Sequence, residues 1–73
     1  MMNYPEPQAI VSGSKVARYY YTNLAQALIA GKMARMEAAK LAAQGYDFGY
    51  CAPGSVTSIN EGPYTGMHEV TIP

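Results

Sequence analysis

The sequence predicts an α+β fold: one long helix, straight or kinked, between an extended proline-containing N-terminal arm and a small C-terminal β-hairpin or meander. Three observations carry this prediction. Residues 14–44 are rich in strong helix formers, prolines punctuate the first seven residues, and glycine, proline, serine, threonine and tyrosine dominate from residue 46 onward. With no linker long enough to divide it, the chain of 73 residues is expected to form one small domain.

Residues 1–13 are predicted to form the extended arm. Pro5 and Pro7 fix their own φ angles and push the residues before them toward extended geometry. Residues 8–11 are expected to add a short strand or to lie along a neighbouring molecule.

Residues 14–44 are predicted to form one helix, with Ser12 or Ser14 as its N-cap and Gly45 as the glycine that ends it. At about 1.5 Å per residue this helix is roughly 45 Å long, whereas a compact domain of this size is about 30 Å across. The helix is therefore expected either to break, near Gly31, or to project and pack against another chain.

Residues 46–73 are predicted to form a tail of strands and turns. Aromatic residues alternate with small or polar ones in residues 46–51, which is the period of a strand. A Pro-Gly turn follows, and residues 55–59 and 67–72 suit two more short strands.

The size and composition of the chain favour association. Below about 70 to 80 residues a single core seldom supplies more than about 3–5 kcal/mol, so small domains add a disulfide, a metal or an interface. Cys51 is the only cysteine and His68 the only histidine, which excludes an intrachain disulfide and a structural zinc site. Charged residues are 14% of the chain and the net charge is zero, a balance that favours association over dispersal.

Two sides of the predicted helix are apolar, and a helix apolar on two sides is buried on two sides. One side is a stripe of small residues that packs either on the chain's own tail or as a seam between subunits; the second carries larger side chains. Three consecutive tyrosines add apolar faces with polar tips, which suit interfaces. The predicted interface residues are Tyr19, Tyr20, Tyr21, Ala27, Leu28, Ile29, Gly31, Met33, Ala34, Met36 and Ala38.

All five cations fall within the predicted helix. With Glu37 as the one opposing carboxylate the helix carries a net +4, and the four remaining carboxylates give the rest of the chain −4. This separation suits pairing within the chain or between copies. Because the cations form no dense patch, it disfavours nucleic acid as a partner.

Catalysis has one candidate constellation, a Cys51 nucleophile and a His68 base oriented by Asp47 or Glu61. His68 alternates with Val70 and Ile72, which is typical of a strand residue with a satisfied ring nitrogen. We therefore predict no enzymatic activity, no catalytic residue, no cofactor and no metal site.

The function that these observations favour is a non-catalytic structural or interaction subunit. It oligomerises with itself or docks onto a larger protein assembly, such as a virion or another multi-subunit shell, through its helix and extended ends. The alternatives are a small regulatory or inhibitory protein that binds one target through the tyrosine-rich helix, and a nucleic-acid-associated protein that uses the basic face.

The N-terminus lacks the basic and apolar regions of a signal peptide, and no uncharged stretch is long enough to span a bilayer. These features predict a protein that stays inside the cell or within a particle, away from membranes.

Overall fold

A computed structural model describes residues 3–73 as one helix packed on a four-stranded sheet. The elements are β1 (Ala9–Ser12), β2 (Ala17–Tyr21), α1 (Leu24–Ala43), β3 (Val56–Ser58) and β4 (His68–Ile72). All strand pairs are antiparallel, in the order β1-β2-β4-β3. The α+β class, with one long helix and C-terminal strands, is therefore confirmed, but the N-terminal half contributes two further strands.

The helix begins at Leu24, ten residues later than the predicted start at residue 14. Tyrosine fits a pleated, half-buried surface better than a helix interior, and the Ala-Arg-Tyr-Tyr-Tyr segment forms β2, between β1 and β4. The N-cap is Asn23, whose Oδ1 accepts a hydrogen bond of 3.1 Å from the backbone N–H of Gln26. Ser12 instead ends β1, and Ser14 lies in the loop between β1 and β2, so neither caps the helix.

The predicted N-terminal arm is partly absorbed into the sheet. The expected short strand at residues 8–11 is present as β1, shifted by one residue, and Ile10 pairs opposite Tyr19 of β2. Gly13 opens the connecting loop, where an added β-carbon would come within 2.6 Å of the Val16 carbonyl oxygen. Residues 1 and 2, also assigned to the arm, lie outside the described range.

The helix runs without a break from Leu24 to Ala43. Its 20 residues are about 30 Å long, which fits within the 35 Å long axis of the fold. The predicted helix of residues 14–44 was too long for the domain, but eleven of its 31 residues, 14–23 and 44, lie outside α1, so the reason to expect a break or a projecting helix disappears. The predicted end is confirmed: Gly45 has a φ of 93°, and the N–H groups of Gly45 and Tyr46 donate to the carbonyls of Ala42 and Leu41 at 3.0 Å.

The C-terminal strands lie within the segments predicted for them, but residues 46–51 form no strand. The Asp47 carboxylate accepts a hydrogen bond of 2.8 Å from the N–H of Gly49, whose φ is 63°. This local side-chain bond competes with extended backbone, so the alternation of aromatic residues here reflects a turn.

The core lies between α1 and one face of the sheet. Its buried residues are Tyr21, Ala27, Ala30, Ala34, Val70 and Ile72. Alanines on the inner side of α1 let the helix axis approach the sheet closely. At one end of this contact Arg35 donates a hydrogen bond of 2.9 Å to the Gly54 carbonyl, which ties α1 to the loop before β3.

The loop between β3 and β4 covers part of the other sheet face. The ring of Tyr64 stacks on that of Tyr20, with centroids 4.0 Å apart and an interplanar angle of 14°. The Tyr20 hydroxyl donates to Glu69 at 2.8 Å, and Arg18 pairs with the same carboxylate at 3.6 Å. Tyr20 is consequently only 6% exposed, although it points away from α1.

Candidate interaction surfaces

The outer face of α1 is the first candidate interaction surface. It consists of Leu24, Leu28, Ile29, Lys32, Met36 and Lys40, which project away from the buried alanines. Its four large apolar side chains are each between 48% and 54% exposed. The inner side of the helix packs against the chain's own sheet, so the apolar side chains of the outer face stay exposed after the chain has folded. Met33 is half-buried at its margin.

The stripe of small residues is occupied within the chain. Ala27 and Ala34 are fully buried, Gly31 is buried and Ala38 is half-buried. The sequence left open whether this stripe packs within the chain or between subunits. In the structure it packs against the chain's own sheet and against the loop before β3. Ala27, Gly31 and Ala34 therefore offer no surface to a second molecule in this fold.

The three tyrosines lie in β2, and the prediction that they project from a helix is wrong. Strand geometry alternates their side chains, so Tyr19 and Tyr21 face α1 while Tyr20 faces the other side. Tyr19 is half-buried and meets the Tyr4 ring edge-on, with centroids 5.8 Å apart. The Tyr21 hydroxyl donates to the Pro5 carbonyl at 2.8 Å, which anchors the N-terminal segment.

Burial favours the protonated form of the Tyr4, Tyr20 and Tyr21 phenols. It raises the pKa of Tyr21 to about 12. Burial also raises the pKa of Tyr4, and the hydrogen bond that Tyr4 donates to the Glu37 carboxylate acts in the same direction. The pKa of Tyr20 is raised by burial first and by its bond to Glu69 second. Each of the three hydroxyls has a hydrogen-bond partner within the chain.

The charge separation is weaker than predicted, because Lys15 and Arg18 precede the helix. Three cations and Glu37 remain on α1, a net +2. Arg35 bonds to Gly54 and Arg18 to Glu69. Lys32 and Lys40 are the cations that remain on the outer face of α1.

Within residues 3–73 no side-chain hydrogen bond joins Cys51, His68, Asp47 and Glu61 to one another. The His68 ring nitrogen Nδ1 lies 3.0 Å from Ser58 Oγ, its cross-strand neighbour, and no three His, Cys, Asp or Glu side chains cluster closely enough for a metal within residues 3–73. A Ser–His pair resembles a nucleophile with its base. However, no carboxylate bonds to this ring and no pocket is detected in the described part of the chain. The pair joins β3 to β4 by a cross-strand hydrogen bond.

A second candidate surface is the free edge of β1, which lies in the extended arm that the sequence predicts to take part in docking, although none of the predicted interface residues lies on it. Ile10 is 54% exposed and Val11 39% exposed on this strand. The available signal was a short β-branched segment bounded by Pro7 and Gly13, which is typical of a strand.

Comparison of the chain with protein families, with curated proteins and with solved structures finds no match. No helix within residues 3–73 is both long enough and apolar enough to cross a membrane. The proposals below therefore depend on the two surfaces described above.

Proposed function

We propose that this chain is a non-catalytic interaction subunit that docks onto a larger protein assembly through the outer face of α1. The observation that carries the proposal is the exposure of Leu28, Ile29 and Met36, each about half exposed on a helix whose other side is already filled. Full burial of a side chain of this kind contributes about 1.5–3 kcal/mol. Covering the exposed half of each would contribute about half of that, which is enough for these residues to act as anchors of an interface.

The charges on the outer face favour a different protein over a second copy. Lys32 lies between Leu28 and Met36 on the outer face, Lys40 lies one turn beyond Met36, and the carboxylate of Glu37 is engaged by Tyr4. Two copies packed face to face would align four lysines along one seam with no carboxylate from either outer face. A partner with an apolar groove and with Asp or Glu side chains placed against the two lysines would complement both features.

The alternative of a small regulatory protein uses the same surface. A helix laid into a target's groove is a common mode of recognition, but here it would engage Leu28, Ile29 and Met36, since the tyrosines are not on the helix. The two functions differ in stoichiometry: an assembly subunit occupies many equivalent sites, whereas a regulator forms a discrete complex. An accessory subunit of a virion or of another multi-subunit shell is an example of the first function. We also propose that the chain acts inside the cell or within such a particle.

The test is capture of the partner with a matched pair of variants. The tagged chain is exposed to a lysate of its source, and bound proteins are quantified by mass spectrometry. Ile29→Glu combined with Met36→Glu should abolish capture of the partner, whereas Thr57→Glu, an exposed change on β3, should preserve it. Light scattering of the recovered complex then distinguishes a repeating assembly from a discrete one. Equal capture by both variants, or no capture by the unmodified chain, would overturn the proposal.

A further inference from the structure

The outer side of β1 is an unpaired sheet edge. In the order β1-β2-β4-β3 the strand borders only β2. In an antiparallel pair, alternate N–H and C=O groups of each strand point away from the partner, and on β1 these groups bond to nothing else within residues 3–73. Such a row of donors and acceptors is a template for another strand. The chemistry of this surface therefore specifies a β-strand as its occupant.

The two edges of the sheet are unequal. Native proteins protect edges with charged residues, proline, short strands or a covering element, and the Ala-Ile-Val-Ser sequence of β1 contains neither proline nor charge. Its two largest side chains, Ile10 and Val11, are exposed on opposite faces. By contrast, β3 is only three residues long, its Val56 packs against the core, and its remaining side chains are polar. The β1 edge is thus the open one.

The sequence around β1 is symmetric in polarity. From either end the segment has one polar residue, then three apolar residues, then one polar residue: Gln8, Ala9, Ile10, Val11 and Ser12. A two-fold axis between two identical antiparallel strands pairs each residue with the residue equally far on the other side of the centre. Symmetric polarity therefore places apolar side chains opposite apolar ones and polar side chains opposite polar ones. Pairing centred on Ile10 places Ile10 opposite Ile10, Ala9 opposite Val11, and Gln8 opposite Ser12, so that no charged side chain meets another.

We propose that two copies of this chain associate through β1, antiparallel and centred on Ile10, to form one continuous eight-stranded sheet. Residues paired in this register share a face, so both copies of Ile10 lie on the α1 side and both helices lie on the same side of the joined sheet. The outer faces of both helices stay free. The dimer therefore displays two copies of the docking surface, and its existence does not depend on the proposed function.

The dimer is weak on its own. A stable interface of ordinary size buries about 1,600 Å² in total, whereas this edge offers a short strand with two large apolar side chains. Each good cross-strand pair contributes about 0.2–1 kcal/mol. We expect association in the micromolar to millimolar range, visible by sedimentation equilibrium or light scattering at high protein concentration.

A charge exchange at the two-fold axis tests both the edge and the register. Ile10→Lys and Ile10→Glu each place like charges opposite each other, and each alone should weaken dimerisation by about tenfold or more. An equimolar mixture of the two variants should dimerise again, because lysine then faces glutamate. Thr57→Lys, on the other sheet edge, is the matched control and should dimerise like the unmodified chain.

Association through α1 is removed from the experiment by carrying every variant in the Ile29→Glu/Met36→Glu background. Circular dichroism and thermal unfolding verify that the Ile10 variants fold, which we expect because Ile10 is 54% exposed. Amide hydrogen exchange of residues 9–12 at high and low protein concentration gives a second readout that needs no variant: protection should rise with concentration. A chain that stays monomeric throughout, dimers insensitive to Ile10→Lys, a mixture that fails to restore association, or loss caused equally by Thr57→Lys would each overturn the proposal.

Discussion

Gly31 of α1 lies directly against Gly54 in the loop before β3. A β-carbon added at Gly31 would come within 2.9 Å of both the Gly54 carbonyl oxygen and Val56 Cγ2. The same carbonyl accepts the hydrogen bond from Arg35, one helical turn further along α1. Glycine at position 31 therefore permits a backbone-to-backbone approach that closes the core at this end of the sheet.

Gly31→Ala should destabilise the fold by about 1–3 kcal/mol, because the added methyl group overpacks a contact made by backbone. The sign of the change in unfolding free energy is informative, because glycine to alanine at an open helix position stabilises a protein by up to about 1 kcal/mol. Denaturant unfolding followed by circular dichroism measures the difference, and Ala39→Leu on the exposed side should change stability by less than about 0.5 kcal/mol. A stabilised Gly31→Ala variant would show that the contact is not close.

Asn23→Ala should destabilise the chain by about 1 kcal/mol, because it removes the side-chain oxygen that satisfies the Gln26 N–H at the first turn of α1. Asn23→Asp and Asn23→Ser, which keep an acceptor, should retain most of the stability. The thermal midpoints of the three variants test this. An alanine variant as stable as the serine variant would mean that water caps the helix equally well.

The start of the helix shows how far the sequence determines the fold. Helix formers predict the helix correctly from Leu24 onward, and Gly45 marks its end because a left-handed residue suits glycine. The error covers residues 14–23, where helical periodicity was extended through three tyrosines. The local propensities of this segment do not distinguish helix from strand. Pairing with both β1 and β4 makes its residues 17–21 a strand, and this long-range effect cannot be read from a short window of sequence. The pattern of Asn23 followed by Gln26 was an available signal of the true start.

The candidate surfaces were less predictable than the fold. Leu28, Ile29 and Met36 were identified from helical periodicity and lie on the outer face, and their role in an interface stays a prediction. Gly31 was identified for the correct reason, close backbone approach, but sequence alone could not choose between an internal and an external neighbour. The β1 edge depends on strand order, which is a property of the assembled sheet.

Stability should fall in alkaline solution. Burial raises the folded-state pKa of Tyr21 from 10.0 to about 12, so the folded chain binds this proton more tightly than the unfolded chain does. The corresponding stabilisation is fully present below about pH 10 and is lost as the pH rises toward 12. Thermal midpoints across this range should decline more steeply for the unmodified chain than for Tyr21→Phe, which cannot titrate there.

Tyr21→Phe should itself cost about 1 kcal/mol at neutral pH, since the hydroxyl bonds to the Pro5 carbonyl and phenylalanine leaves that acceptor without its partner. The difference in stability between the unmodified chain and Tyr21→Phe should therefore narrow as the pH rises. Tyr50→Phe, at a fully exposed position, is the control and should follow the unmodified chain. A constant difference between the unmodified chain and Tyr21→Phe at all pH values would contradict the assignment of the alkaline loss to this phenol.

Tyr64→Ala should destabilise the chain by about 1–2 kcal/mol, because it removes the ring stacked on Tyr20 and exposes that ring to water. Tyr50→Ala removes the same side chain from a fully exposed position and should change stability by less than about 0.5 kcal/mol. Combining Tyr64→Ala with Tyr20→Leu in a double-mutant cycle, measured by denaturant unfolding, should give a coupling energy of about 0.5–1.5 kcal/mol. Strictly additive effects would mean that the loop between β3 and β4 rests on the sheet without the stacking interaction stabilising it.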